Sequence, residues 1–504
     1  MLTATAQIPL VREGVEPDAS AAGEGGPDGN RVDHTTEDAM TALPPPEPSR
    51  NADELARAVA RDGVDFLLVM FVNLHGKPCA KLAPVRTLDR LLAEGLGFAG
   101  NAADGLGQSS ADPDVVAIPD VTSYVPCPLQ EGLGIIQCDL YVEGEPWPYA
   151  PRWILRRQLE RLAEQGRQLK VGAEPEYFLV RRTADGTVTV ADELDTSPSP
   201  CYDANAATRG FGHLSTISRA IDALGWENYS NDHEDANGQF EHNFGYAEAL
   251  RTADRVVVFR HLVKLAAHRA GLVATFMPKP FSRLTGNGLH LHVSLWEGST
   301  ELFADANDPR GLGTSALGYA FVAGLLDHAP GLMALTCPTV NSYKRLGAGA
   351  DTLSRSSWAP GYASYGGNNR TQLVRIPDTG RIEVRCVDGA ANPYLAIAGI
   401  AAAGADGIAR SADPGEPVTG DLENALVQRH QGLRPVPPTL LHAVEELLAD
   451  GVLREGLGKV PGAVGGTAGE YGEYAVYYAA VKRAEFAEYH RQVSAWETER
   501  YLLA

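Results

Sequence analysis

With 504 residues, 44% of them hydrophobic and 21% charged, the chain can bury a large core and build two or more domains. Its net charge of −21 excludes a nucleic-acid-binding surface, which needs a basic face, and no apolar run of about 18 residues exists to span a membrane. Six cysteines without a C-x-x-C pair fit buried thiols in a reducing compartment, and the start shows no basic-then-apolar signal, so a cytoplasmic location is expected.

Residues 1–50, rich in Gly, Pro, Ala and acids, lack apolar periodicity and read as a disordered extension. A helix is predicted over Ala52–Asp62. Strands over Asp65–Val72 and Lys81–Val85, joined by the turn-forming Asn73–Pro78, form a hairpin of a small sheet. The stretch Gly95–Asp120 is too polar for core and reads as a functional or disordered loop, and Gly134–Val142 is the next strand. Pro148 and Pro151 mark a boundary between an N-terminal domain, residues 51–148, and a second domain, residues 149–504. Helices follow over Trp153–Gln165, Ala206–Leu224, Ala247–Ala270, Ser315–His328, Pro393–Arg410 and Thr439–Asp450. The closing Glu473–Leu503 mixes charge and aromatics at helical spacing and is expected to pack on the surface or on a neighbour.

The chemistry begins in VGAEPEYFLV, Val171–Val180, where Glu174 and Glu176 leave one face of a predicted strand. Two buried carboxylates side by side repel unless a proton or a cation lies between them. In NDHEDANGQFEHN, Glu234 and Glu241 flank a Gly-containing turn that would return both to one centre if its flanks are antiparallel strands. In GNGLHLHVSL, His290 and His292 alternate with leucine and share a face, a frequent metal arrangement. The same period places Arg381, Glu383 and Arg385 on one face of RIEVRCVD, which is not expected to be buried core because each charge needs a partner. Arg370, Arg375, Lys344 and Arg345 add fixed positive charge. Any one of these signals alone is commonly an ordinary surface acid, core histidine or ion pair. Together they make hardware for phosphoryl transfer from a nucleotide, without a P-loop or a kinase signature.

The ordered motifs EPEYF, NDHEDANGQFE, FMPKP, GNGLHLHVSL, NSYKRL, NNRTQLVRIP, RIEVR and ANPYL resemble the glutamine synthetase superfamily. PCYDANAATRG and the ending EYHRQVSAWETERYL look most like its type III glutamate–ammonia ligase and γ-glutamylmethylamide synthetase branch. The resemblance implies an α+β fold with a small N-terminal β-grasp-like domain and a large catalytic domain on a curved antiparallel sheet with helices around it. It implies a homo-oligomer of two stacked hexamers, with each active site completed by a neighbour's N-terminal domain. One Mg²⁺ or Mn²⁺ would be held by Glu176, Glu234 and Glu241 and another by Glu174, His290 and Glu383. His292, Ser294, Arg375 and Arg381 match positions that bind ATP, Gly286, Arg345 and Arg385 the glutamate site, and Arg370 the arginine facing the transferred phosphate.

The implied activity is an ATP-dependent ligase making a γ-glutamyl amide through γ-glutamyl phosphate. Ammonia-using members carry Phe-Asp-Gly-Ser-Ser, whose aspartate helps bind ammonium, where this chain has Phe98, Ala99, Gly100, Asn101 and Ala102. The expected second substrate is therefore a small primary amine. Asp351 stands as the candidate base in place of a family glutamate, one methylene shorter and in a changed loop, and Trp358, Tyr362 and Tyr365 could wall an alkyl pocket. A glutamine synthetase proper, another carboxylate or amine kinase on this scaffold, and a non-catalytic structural member stay open as alternatives. Ser411–Pro435 contains no tyrosine, so the family's adenylylation site has no counterpart.

Overall fold

Seven strands early in the chain pair into one sheet, in the computed structural model that describes residues 52–346, 352, 356–422, 432–462 and 471–504. They are β1 (Phe66–Val72), β2 (Pro78–Pro84), β3 (Leu96–Phe98), β4 (Val115–Pro119), β5 (Val125–Pro126), β6 (Leu133–Val142) and β7 (Glu145–Pro146). The main path runs β2-β1-β6-β4-β3, with β1 and β6 parallel and the remaining pairs antiparallel. The predicted hairpin forms because Asn73 organises its turn: its side-chain oxygen accepts from the backbone N–H groups of His75 and Lys77, each at 3.0 Å. The stretch Gly95–Asp120 departs from the loop expectation. It carries β3 and β4, and Val115 and Ala117 are fully buried. The short alternation in VVAIP is diluted by the polar residues before it, so composition hides a core strand.

The second sheet has the main order β10-β11-β8-β14-β19-β18-β17 and is antiparallel except for β17 with β18. Its strands are β8 (Gln168–Arg182), β10 (Asn228–His233), β11 (Gln239–Phe244), β14 (Leu289–Glu297), β17 (Tyr365–Gly366), β18 (Val374–Arg375) and β19 (Ile382–Val384), with the short β9 (Val188–Val190), β12 (Ala247–Glu248), β13 (Val273–Thr275) and β15 (Thr300–Glu301) outside that path, while β16 (Tyr362–Ala363) pairs separately with Arg434–Pro435. One face is apolar: Val171, Ala173 and Tyr177 of β8, Leu289, Leu291, Val293 and Leu295 of β14, and Ile382 and Val384 of β19 are all buried. Helices cover that face, chiefly Ala249–Arg269, Ala316–Asp327 and Pro393–Ala409, and form one core with it. The period of two therefore sends every second residue to the opposite, polar face, where the site is built.

The helix expected over Ala206–Leu224 is two helices, Ala204–Arg209 and Phe211–Ala223, divided at Gly210, where an added Cβ would lie 3.1 Å from the Phe240 ring. The closing stretch is likewise two helices, Tyr474–His490 and Ala495–Tyr501. Tyr474, Ala475, Tyr478, Ala479 and Lys482 are buried, so the first of them is anchored in the core along one face rather than only at the surface.

A charged cluster links the early strands to the helices behind the large sheet. Arg152 is buried and donates to Asp120, Asp139 and Asp254 at 2.7–3.0 Å, and the Tyr394 hydroxyl donates to Asp254 at 2.6 Å. A guanidinium with three carboxylates around it makes four hydrogen bonds to them, which compensates its burial.

Candidate active site

Strand register alone brings the predicted ligands together. Glu176 pairs across the sheet with Glu241, Glu174 with His290, and His292 with Glu383. Since each of these residues points to the polar face, the strands β11, β8, β14 and β19 lay a row of acids and imidazoles across the sheet. Glu234 reaches the same centre from the β10–β11 turn, where Gly238 takes a positive φ of 74°. The antiparallel flanks expected of NDHEDANGQFE are present.

Ligand atoms of three trios lie within 4.8 Å of one another: Glu176, Glu234 and Glu241; Glu174, Glu241 and His290; and Glu174, His292 and Glu383. The first is the trio expected for one cation. The second expected trio is also adjacent, with His290 Nδ1 3.8 Å from Glu174 and 3.6 Å from Glu383. His292, assigned by resemblance to the nucleotide, sits among the acids, its Nε2 3.0 Å from Glu174.

The face carrying Arg381, Glu383 and Arg385 differs from expectation: Glu383 is 0% exposed and Arg385 3%. Burial is tolerated because each charge has its partner, with Arg375 and Arg385 each donating to one oxygen of Glu383 at 2.5 Å.

Burial, followed by the Glu176 carboxylate, pushes Glu234 up to about 8. Burial with the charges of Glu234, Glu174 and Glu176 pushes Glu241 well above the usual range. Glu174 is half-buried, and its burial raises it, but His292 and His290 outweigh that and hold it well below. Glu383 is lowered to about 2, its burial offset by Arg385, His290, His292 and Arg375. Two of the acids thus retain protons toward neutrality because burial and the neighbouring carboxylates disfavour their charged forms. Clustered hard oxygen donors with one imidazole suit Mg²⁺ or Mn²⁺ better than softer metals, so the residues present fit the divalent cations that the resemblance implies.

A cavity of about 280 Å³ opens over this row. Of the predicted residues, Glu174, Glu176, Glu234, Glu241, His290, His292, Gly286, Arg345, Arg370, Arg375, Arg381 and Arg385 line it, while Glu383 lies beneath. Ser294 lines instead an adjoining cavity of about 440 Å³, which shares Glu174, His292 and Arg381 with the first and is walled by Tyr229, Phe244, Tyr246 and Trp296. A charged cavity opening into an aromatic-walled one suits a ligand with an anionic end and a flat apolar end. Trp358 lines the charged cavity, and its carbonyl accepts from Arg385 at 3.2 Å. Tyr362 and Tyr365 do not line it: Tyr365 is buried against Tyr319. Asp351 lies outside the described residues.

Several residues escaped the sequence reading. Gln239 Nε2 donates to Glu176 at 3.0 Å, to the Gly286 carbonyl at 3.1 Å and to Asn287 Oδ1 at 3.0 Å, and Asn243 donates to Glu241 at 3.0 Å. Both alternate with Glu241 on β11, so the period-two rule would have found them. Cys201 and Tyr202 also line the cavity, from PCYDANAATRG, a segment that carried the resemblance but gave these two residues no role.

Residues 148–501 match the glutamine synthetase catalytic domain. The chain is 40% identical over 448 residues to a glutamine synthetase of Rhizobium leguminosarum bv. phaseoli, covering 88% of this chain and 98% of that protein. It is 39% identical over 452 residues to a glutamate–methylamine ligase of Methyloversatilis universalis, with coverages of 89% and 98%. Among solved structures, a GmaS/ADP complex aligns with a TM-score of 0.82 at 45% identity, over 89% of this chain and 99% of that one. The matched region contains the whole acid–imidazole row and the sheet that sets its spacing, and on that ground the chain belongs to the glutamine synthetase family.

Proposed function

We propose that this protein is an ATP-dependent carbon–nitrogen ligase that joins glutamate to a small primary amine, forming a γ-glutamyl amide by way of γ-glutamyl phosphate. The observation that carries this reading is the continuity of the two cavities, which share Glu174, His292 and Arg381. The aromatic-walled cavity takes the nucleotide base, and Ser294, Arg381, His292 and Arg375 lead from it toward the phosphates. Arg345 and Arg385, with the Gly286 backbone, hold glutamate.

A γ-carboxylate is a poor electrophile, so one of its oxygens attacks the γ-phosphorus of ATP and the bond to ADP breaks. Arg370 faces the transferring phosphoryl group and offsets its charge. Glu174, Glu176, Glu234, Glu241, His290 and Glu383 would hold Mg²⁺ or Mn²⁺, which when bound neutralise phosphate charge. The neutral amine then attacks the acyl carbon, the carbon–oxygen bond breaks, phosphate leaves and the nitrogen gives up a proton. Asp351 is the proposed base.

The preference for an amine over ammonia rests on Ala99. It removes a carboxylate suited to a small cation and leaves an apolar surface, worth about 0.8 kcal/mol for each methylene buried. Ala99 is exposed and does not line the cavity of its own subunit, so its role requires delivery across a subunit boundary. A ring assembly of two stacked hexamers, built from an N-terminal domain of residues 51–148 and a catalytic domain of residues 149–504, is part of the proposal, as is a cytoplasmic location. Among the described residues no helix is long and apolar enough to cross a membrane.

The test is phosphate release from glutamate and ATP with methylamine, ethylamine, ethanolamine or ammonia, compared as kcat/KM where each is partly deprotonated. Higher efficiency with an amine supports the reading. Preference for ammonia over every amine makes the protein a glutamine synthetase proper, and inactivity with all of them favours a non-catalytic role.

A further inference from the structure

The motif FMPKP has no part in the chemistry above, yet its lysine is placed unusually. Lys279 follows β13 and is only 7% exposed. Lysines are rarely buried without a paired acid, and among the described residues none lies within ion-pairing distance of this one. Its Nζ donates instead to the carbonyl of Leu284, five residues on. Burial, with the Arg345 guanidinium nearby, lowers the ammonium to about 8. The Lys279 backbone is clasped from the other side: its N–H donates to Asn341 Oδ1 at 2.7 Å and its carbonyl accepts from Asn341 Nδ2 at 3.0 Å. Asn341 opens the NSYKRL motif that carries Arg345.

The loop closed in this way ends on Thr285 and Gly286, both of which line the charged cavity. Its two ends nearly touch. The N–H of Asn287 donates to the Pro278 carbonyl at 2.8 Å, and a Cβ at Gly286 would lie 2.3 Å from that same oxygen and 3.0 Å from Arg345 Cγ. Gly286 is therefore wedged between the start of the loop and Arg345, and any shift of Leu284 is passed to it within two residues. Phe281 and Leu284 pack on Phe178, but apolar contact alone leaves the Leu284 carbonyl without this partner. A methionine would fill the volume of Lys279 without the cost of burying an ammonium, so space-filling does not explain the lysine.

We propose that Lys279 is a positioning residue for glutamate: its buried amine ties the 279–286 loop shut and holds the Gly286 backbone against Arg345. The proposal rests on the assignment of Gly286 and Arg345 to the glutamate site. The test follows γ-glutamyl hydroxamate formed from glutamate, Mg-ATP and hydroxylamine, a nucleophile that intercepts the acyl phosphate whatever the natural amine. Lys279→Met is expected to raise the glutamate KM about tenfold or more, with kcat and the ATP KM within about twofold, because a misplaced binding backbone weakens ground-state and transition-state binding alike. An unchanged glutamate KM in Lys279→Met, while Arg345→Ala raises it, overturns the proposal and leaves the glutamate site standing. An unchanged glutamate KM in Arg345→Ala overturns the site assignment and the proposal with it. If Lys279→Met does not fold, Asn341→Ala loosens the same loop from its other side, with the same rise expected. No rise there overturns the proposal.

Discussion

Replacing Glu241 by Gln should abolish amide formation while making the metal-free protein more heat-stable. Glu241 belongs to two of the three acid clusters, with ligand atoms within 4.8 Å of those of Glu176 and Glu234 and of Glu174 and His290. Two unit charges at that distance repel by about 3 kcal/mol at an effective dielectric of 20. Glutamine keeps the volume, and its amide oxygen can still accept from Asn243, so the change removes a carboxyl that the folded protein must either keep protonated or hold against that repulsion, with little loss of packing. In the wild type, Glu234 is pushed up to about 8 from an ordinary 4.5. The folded form therefore holds a proton that the unfolded chain has lost between those values. Stability of the chelated protein should fall as pH rises through that window, by at most about 1.4 kcal/mol per pH unit for each such group. With an unfolding entropy of about 2 cal/mol/K per residue, a unit of this size melts roughly 1 °C higher for each kcal/mol gained. Thermal unfolding at pH 8.5 in chelator should thus show Glu241→Gln about 3 °C above wild type, and added Mg²⁺ should stabilise the wild type much more than the variant. A variant that melts lower in chelator, keeps the full Mg²⁺ response and retains activity would refute the assignment of these acids to a cation.

Arg370→Ala should lower kcat by about 100-fold, on the order of 3 kcal/mol, with a much smaller change in the glutamate KM, since its charge acts on the transferring phosphoryl group. Unchanged turnover would show that it only lines the cavity. Gln239→Leu takes one of two buried donors from Glu176, leaving the Gly288 N–H, and removes the amide donor from the Gly286 carbonyl, so the Mg²⁺ concentration for half-activity and the glutamate KM should both rise by about tenfold. Separate titrations of each ligand check this. His328 donates to Asp450 at 2.7 Å and to Asp406 at 3.0 Å. Burial lowers its pKa, but these hydrogen bonds outweigh that and raise it, so the stability it adds is complete below pH 6.5 and lost as pH rises through the folded value. His328→Gln should therefore cost more in melting temperature at pH 5.5 than at pH 8.5.

Alternation in the sequence was sufficient to place Glu174 and Glu176, His290 and His292, and Glu383 between Arg381 and Arg385 on single strand faces, because the side-chain period of a strand is two whatever the fold. The resemblance then ordered those strands around a common centre. Other features lay beyond any local pattern. That Glu383 is wholly buried depends on Arg375 and Arg385 reaching it from both sides, which requires β18 and β19 to be neighbours. The place of His292 beside Glu174 follows from the β8–β14 register, since a slip of one residue would turn every side chain of β14 to the other face. Strand β4 was hidden because five residues of alternation do not stand out within a polar stretch, and only pairing with β6 makes them core. Lys279 becomes legible only in three dimensions: its partner is a backbone carbonyl brought near by loop closure, and a carbonyl has no residue type to read.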